Sequence, residues 1–477
     1  MSDAEDREWN DRFGESYLGA GGVKELNEGR LDQLEEEFLQ EAEVPDRRGT
    51  GCIKWDLAGP NEIPLWVADM DFPVAPVITE ALQKRLEHPV FGYSFEPEGY
   101  FEAVRAWQAG RNGWVVEADH LVVVPSVMQG LAVAAEEFTR PGDRIGLFTP
   151  VYTPFFDVIE EMGRQVVRIP MRIEDGGEGG VGPARRARPR YALNFDALER
   201  EASSLSLLIL CSPHNPGGRV WGEDELARLR SITGAAGLRV ISDEIHGDLT
   251  FPGGRFVPWL RVVGKAAGDG REGGTGDIAL FAPSKTFNIP GLPTAIAAVP
   301  DGPTRERLKA ALHAHMQKMS NLLTMEAALA AYSGAAGWLD ELRPVLQDHY
   351  RLVVDRCDAL PGVRVFAMEG TYVAWLDLRE RWGLPLTPEL PVAVGRTGPA
   401  SSTGDGAGGA AGDGGPGNPG ISTRFTAHCR RNGVWLSDGS GYGPEGDGFM
   451  RLNFATSREL LTEGLNRLVQ SIETFEP

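Results

Sequence analysis

Short apolar runs alternate with amphipathic segments through the middle of this chain. The run at 121–124 precedes a helix-like stretch at 128–138, and the run at 145–148 precedes another at 155–162. Residues 165–169 read as a further strand, 207–210 lead into a helical pattern at 223–232, and strand-like runs follow at 240–241 and 279–281. Apolar residues occupy successive positions in these runs rather than alternate ones. Both faces are therefore covered, as in the parallel sheet of an α/β protein. A helical pattern over 303–331, carried by Leu308, Leu312, Met316, Leu322, Leu323 and Leu329, closes this unit.

Beyond it the pattern changes. A helix is predicted from 338 to about 357, short strands at 363–367, 371–376, 433–436 and 449–454, and a last helix from 458 to about 474. This mixture predicts a smaller α+β domain, with the early segment 53–87 as its companion. The domain reading is a charged, mostly disordered extension over 1–48, an N-terminal segment of the small domain over 49–88, a large domain over 89–332 and the small domain over 333–477. Three stretches read as surface insertions: 172–190, rich in Gly and Arg; 264–276, Gly-rich and polar; and 395–420, almost wholly Gly, Ala, Ser, Asp and Pro. Such segments bury too little apolar area to offset the entropy of ordering.

At 477 residues the chain is too long for one core. Its formal charge of −21 argues against a nucleic-acid backbone or an anionic membrane surface as partner. No window reaches the roughly 18 consecutive apolar residues of a spanning helix. The acidic start Met1-Ser2-Asp3-Ala4-Glu5-Asp6 lacks the basic and apolar parts of a signal peptide, so a cytoplasmic location is expected. The 4 cysteines (Cys52, Cys211, Cys357, Cys429) are scattered, which suggests neither a metal site nor a disulfide framework. Cys211, at a strand end, reads as a buried small hydrophobe.

The chemistry lies at the ends of the apolar runs. Cys211-Ser212-Pro213-His214-Asn215-Pro216-Gly217-Gly218 follows one, Asp243-Glu244-Ile245-His246 another, and Ser284-Lys285-Thr286-Phe287-Asn288 a third. In open parallel sheets, ligands sit beyond the carboxyl ends of the strands. A lysine able to form a Schiff base, a carboxylate able to keep a pyridine nitrogen protonated and an asparagine able to reach a ring hydroxyl are the minimum set for pyridoxal-phosphate chemistry. Lys285 is then also the general base for the α-proton. Asp243 has an alternative reading as a helix N-cap, and His246 one as hydrogen-bonded filler. Ser126, Val127 and Met128 begin a helix whose free N–H groups suit a phosphate, with Ser284 as an added donor. Tyr152 follows a strand end, where it either stacks on a planar ring or packs in the core. Arg451, inside an apolar strand, needs a carboxylate from the protein or from a substrate.

Together these residues resemble the fold-type I pyridoxal-phosphate enzymes of the class I/II aminotransferase superfamily, and within it the cystathionine β-lyase (cysteine C–S lyase) branch. Leu65-Trp66-Val67-Ala68-Asp69-Met70-Asp71-Phe72, Phe91-Gly92-Tyr93-Ser94, the three strand-end segments, Glu369-Gly370-Thr371-Tyr372-Val373-Ala374-Trp375-Leu376-Asp377 and the Arg451 strand carry the likeness, from about residue 50 onward. It implies the aspartate aminotransferase-like fold: a large domain with a mainly parallel seven-stranded sheet beside a smaller α+β domain. It also implies a homodimer with the site at the interface, Lys285 bound to the cofactor, Asp243 at the pyridine nitrogen and Asn215 at the ring oxygen. Tyr152 stacks on the ring, Tyr93 reaches the neighbour's cofactor phosphate, Arg451 holds the substrate carboxylate, and the backbone near Ala68 and Asp69 closes over the substrate. His246, and the lack of an arginine over 288–294, lean toward the lyase branch. Pro290 and Gly218 stand where that branch commonly has alanine and threonine. The expected activity is α,β-elimination on L-cystathionine or related S-substituted cysteines, in the methionine-biosynthesis branch of amino-acid metabolism. A class I/II aminotransferase and a non-catalytic cofactor-binding regulator are the alternatives. No metal, nucleic acid or membrane partner is expected.

Overall fold

The computed structural model describes Phe38 and residues 44–177, 187–266, 276–317, 319–386, 392–395 and 420–477. Fifteen strands fall among them: β1 (Ile63–Leu65), β2 (Leu121–Val124), β3 (Arg144–Thr149), β4 (Gln165–Pro170), β5 (Arg172–Gly177), β6 (Arg188–Ala192), β7 (Leu207–Cys211), β8 (Arg239–Asp243), β9 (Ile278–Phe281), β10 (Ala295–Ala298), β11 (Arg364–Val365), β12 (Val373–Asp377), β13 (Ala393–Val394), β14 (Val434–Asp438) and β15 (Phe449–Asn453).

The larger sheet has 8 strands in the order β13-β4-β3-β7-β8-β9-β10-β2. From β4 through β9 neighbouring strands run parallel, whereas β10 is antiparallel to both β9 and β2. The unbroken apolar runs have a direct cause. Leu207 and Ile209 enter one core cluster while Leu208 and Leu210 enter the other, so each face of β7 is buried under its own layer. Helix Val127–Phe138 lies close on this sheet: a Cβ at Gly130 would fall 2.9 Å from Val124 Cγ2 and 3.2 Å from Leu280 Cδ2. Only a residue without a side chain permits that approach, which fixes the start of the helix over the ends of β2 and β9.

The smaller sheet has the order β1-β14-β15-β12-β11. Its parallel pair is β1 with β14, Ile63 opposite Val434; the other pairs are antiparallel. Helices Ala336–Asp358, Ile421–Arg431 and Arg458–Thr474 accompany it.

Several expectations are corrected. The helical pattern over 303–331 is two helices, Gly302–Ala314 and Leu322–Gly334, and between them Met316 adopts φ +58°. The ends of the insertion expected at 172–190 form an antiparallel hairpin of β5 and β6, with its tip outside the described residues. Just before the stretch expected as a loop from 395, β13 pairs with β4, an eighth strand on a sheet expected to have seven. Residues 267–275 and 396–419, inside the other two expected insertions, lie outside the described residues, as do 1–37 and 39–43 of the expected extension. Two parts of that extension do pack: Phe38 lies edge-on to Phe72, and Arg47 is bound to Asp69 and Asp71. Their partners sit more than twenty residues away in sequence, out of reach of a local apolar pattern.

Candidate active site

A cavity of about 760 Å³ opens where the ends of β7, β8 and β9 face the segment 66–74. Asn215, Asp243 and Lys285 all line it, with Ser126, Val127, Met128, Tyr152, His246, Ser284, Ala68 and Asp69. All these predicted residues therefore meet in one place. Arg451 stands behind Asn215, and Tyr93 lies elsewhere.

Each position follows from local geometry. Asp243 ends β8, and its Oδ1 accepts from the Ile245 N–H at 3.1 Å, closing a tight turn; no helix starts there, so the N-cap reading falls. Burial pushes its carboxyl up to about 7, against the Ile245 N–H and the charge of Lys285, which pull it down. Lys285 sits in the one-turn helix Pro283–Thr286 just past β9, and its Nζ donates to the Ala68 carbonyl at 2.6 Å. His246 is buried edge-on to Tyr372, with ring centroids 5.9 Å apart. Burial first, then the charges of Lys285 and Arg451, lower its pKa to about 3, so the imidazole is neutral at physiological pH. Ser126 caps helix Val127–Phe138 by accepting from the Gln129 N–H at 3.1 Å, leaving the N–H groups of the first turn without intrahelical acceptors at the cavity wall. Tyr152 stands on the wall with its ring edge-on to Phe155.

Arg451 is fully buried. Its Nη1 donates to Asn215 Oδ1 at 3.3 Å, and its Nη2 to the Trp66 carbonyl at 2.6 Å and Ser437 Oγ at 3.2 Å, while Nε has no partner. Among the described residues no carboxylate forms an ion pair with it. The structural ion pair, one of its two sequence readings, is thus missing. Tyr93 is 95% exposed, in a loop that also exposes Val90, Phe91 and Phe95, and it does not reach the cavity of its own chain. Trp66 stacks on Trp435 and Trp375 on Phe449, so both indoles are framework beside the cavity rather than part of its wall. Gly218 has φ +67°, and a Cβ there would lie 2.6 Å from Met368 Cγ, which accounts for glycine at this turn.

The sequence reading missed how the 66–72 segment is held. It has no regular secondary structure, and its carbonyls are taken by side chains from distant parts of the chain. Arg451 and Ser437 hold Trp66, and Asn453 holds Val67 and Asp69. Lys285 and Tyr372 hold Ala68, Arg47 and Asn288 hold Met70, and Asn288 also holds Phe72. Beneath it, Lys54 has no exposed side-chain surface and meets Asp71 at 2.9 Å and Asp69 at 3.6 Å; Arg47 reaches the same two carboxylates, each at 2.7 Å. Burial raises Asp71, but the Lys54 charge, hydrogen bonds from Lys54 and Trp55 and the Arg47 charge outweigh it and hold the carboxyl below its usual range. Local sequence offered one signal, a lysine embedded in Ile53-Lys54-Trp55.

The donor set fits pyridoxal phosphate. One buried carboxylate and one amine face each other across a cavity large enough for a substituted pyridine, and a helix start stands ready for its phosphate. This arrangement of an open, mainly parallel sheet with a lysine and an aspartate at neighbouring strand ends defines a pyridoxal-phosphate enzyme fold. The profile of the aminotransferase class I and II family matches residues 60–468, and the chain belongs to that family. It is 33% identical to cystathionine beta-lyase PatB of Bacillus subtilis, over 89% of this chain and 97% of that one. It is 30% identical to the protein MalY of Escherichia coli, over 90% and 98% respectively. Among solved structures, cystalysin from Treponema denticola, which contains a pyridoxal 5'-phosphate cofactor, superposes with a TM-score of 0.75 at 28% identity, over 91% of this chain and 98% of that one.

Proposed function

We propose that this protein is a pyridoxal-phosphate-dependent carbon–sulfur β-lyase that eliminates thiol from L-cystathionine or related S-substituted cysteines, leaving pyruvate and ammonia. The observation that carries the reading is a single cavity joining the Lys285 amine, the Asp243 carboxylate and, through Asn215, a buried guanidinium without a carboxylate. Its similarity to relatives named cystathionine beta-lyase supports the choice of reaction.

When bound, pyridoxal phosphate supplies an electron-accepting ring that stabilises the charge left at the substrate's α-carbon. The protein's part is positioning and proton handling. Lys285 Nζ would hold the cofactor's aldehyde carbon and, once a substrate amine takes its place there, would be free to take the α-proton. Asp243 would keep the ring nitrogen protonated, Asn215 would meet the ring oxygen and Tyr152 would pack on the ring face, while the neutral His246, packed on Tyr372, adds no charge to the site. The helix start at Ser126, Val127 and Met128, with Ser284, would receive the phosphate. Arg451 exchanges its carbonyl and hydroxyl acceptors for the substrate carboxylate in a bidentate pair, and the Ala68 and Asp69 backbone covers the substrate. With the α-proton held on Lys285, the Cβ–S bond breaks and the sulfur leaves as thiolate; for cystathionine the thiol is homocysteine, and water hydrolyses the released three-carbon enamine to pyruvate and ammonia.

We also infer a homodimer, in which the exposed loop carrying Tyr93 reaches the neighbouring subunit's cofactor phosphate. A cytoplasmic role in methionine biosynthesis and a two-domain division at 88/89 and 332/333 complete the reading; pairing of β1 with β14 supports the division. Among the described residues no helix is long and apolar enough to cross a membrane.

The test is release of thiol and pyruvate from cystathionine, cysteine and S-methylcysteine by purified protein with added pyridoxal phosphate, with Lys285→Ala as control. Turnover by the wild type and none by the variant is expected; no pyruvate from any of the three rejects the lyase assignment. Conversion of the cofactor to its amine form by amino acids, reversed by keto acids without thiol release, would identify an aminotransferase instead.

A further inference from the structure

Among the described residues only three other than glycine adopt a left-handed φ: Asn288 at +55°, Met316 at +58° and Thr371 at +68°. Asn288 itself grips the 66–72 segment, and Thr371 directly precedes Tyr372, which grips it too. At a β-branched residue such a φ is a true outlier. Strain of this kind persists where the surroundings over-determine it, and it clusters at functional positions. Thr371 is fully buried, its N–H donates to the Leu249 carbonyl at 2.8 Å, and the preceding Gly370 leaves no room for a Cβ, which would lie 2.8 Å from that same oxygen. The forced turn aims the next side chain, Tyr372, at the Ala68 carbonyl, where its hydroxyl donates at 2.8 Å. Lys285 Nζ donates to the same oxygen at 2.6 Å.

We propose that Tyr372 is a positioning residue for Lys285, acting through the Ala68 carbonyl; this rests on Lys285 being the reactive amine. A carbonyl oxygen offers two lone pairs. Tyr372 occupies one and fixes the direction of the carbonyl, so the other points at Nζ. Ala68 lies in a segment with no ladder of its own to orient it, and a hydroxyl delivered from a strained, buried turn supplies that orientation. When Lys285 Nζ carries the α-proton as an ammonium, this acceptor holds it at the cavity wall. Without the tyrosine hydroxyl the carbonyl swings and the amine loses its rest position.

The test compares Tyr372→Phe with Tyr350→Phe. Tyr350 is also buried and donates its hydroxyl to a backbone carbonyl at 2.8 Å, but that carbonyl belongs to Phe366, which does not line the cavity, whereas Ala68 does. In cofactor-free protein, trace acetylation with acetic anhydride is read at the Lys285 peptide by mass spectrometry, relative to the surface residue Lys309. Loss of one neutral hydrogen bond predicts that Lys285 acetylation rises by about threefold or more in Tyr372→Phe; Tyr350→Phe stays at the wild-type rate. In the loaded enzyme with α-deuterated S-methylcysteine, Tyr372→Phe lowers kcat by about tenfold with KM within about twofold, and the deuterium effect on kcat rises as proton removal becomes limiting. Unchanged acetylation and isotope effect in folded Tyr372→Phe, or the same changes in Tyr350→Phe, overturn the proposal. If Tyr372→Phe does not fold, Thr371→Gly, which tolerates the backbone angle without enforcing it, must raise Lys285 acetylation in the same direction; no rise is a refutation. The acetylation arm needs no turnover, so it stands even if the wild type releases no thiol and the lyase reading fails.

Discussion

Replacing Lys54 by methionine removes the cation from beneath the 66–72 segment while keeping most of the side-chain volume. At 2.9 Å and an effective dielectric of about 20, the Lys54–Asp71 attraction is on the order of 6 kcal/mol before desolvation. The cost of burying both charges cancels most of that, so the pair contributes little net stability. Removing one partner differs, because Asp71 stays 1% exposed and ionised. Such a change costs about 3–5 kcal/mol in general. Arg47 still faces Asp71 at 2.7 Å, which reduces the expected loss to about 2–4 kcal/mol. The assay is urea unfolding of cofactor-free protein at pH 7.5 and again near pH 4.5. Asp71 is held below its usual range in the wild type, so its contribution is full above the unfolded value, about 4, and is lost as pH falls through the lower folded value. In Lys54→Met that carboxyl loses its main cation and takes up a proton at higher pH, so the penalty must shrink between pH 7.5 and 4.5. A loss below about 1 kcal/mol at pH 7.5, or one that does not change with pH, refutes the argument.

Other outcomes follow from the same contacts. Arg451→Lys cannot reproduce a bidentate fork, and steady-state kinetics on cystathionine should show KM raised by about ten- to a hundredfold with a smaller change in kcat. Glu244 is pushed up to about 8 by burial, against hydrogen bonds from the Trp259 N–H and Ser242. A carboxyl raised in the folded state binds its proton there first, so stability falls as pH climbs from about 4 to 8. Glu244→Gln, which keeps the neutral shape, should therefore be near-neutral at pH 4, gain about 2 kcal/mol over the wild type at pH 6 and up to about 5 kcal/mol at pH 9; equal stability of the two at pH 9 contradicts this. Gly218→Thr places a Cβ against Met368 at φ +67° and should lower the urea midpoint by an amount equivalent to about 2–3 kcal/mol.

What could be read from the chain was whatever lies within a few residues of a strand end. The meeting of Asn215, Asp243 and Lys285 follows from β7, β8 and β9 being adjacent and parallel, and apolar runs announced those strands. The hold on the 66–72 segment was not legible, because its donors come from Arg47, Lys54, Asn288, Tyr372, Arg451 and Asn453, and no local period links them. The apolar neighbours of Lys54 hint that it is buried, but nothing local names Asp71 as its partner. The break between helices Gly302–Ala314 and Leu322–Gly334 was equally hidden, since no proline or glycine marks 315–321 and the apolar spacing continues across it.

Because donors from near residue 47 and from as late as residue 453 grip one short stretch, that stretch cannot settle until residue 453 has left the ribosome. All of the larger sheet but β13 can assemble earlier, since β2 through β10 lie between residues 121 and 298. The cavity wall is therefore among the last parts to be completed during synthesis, and mild denaturant should open it before the sheets give way.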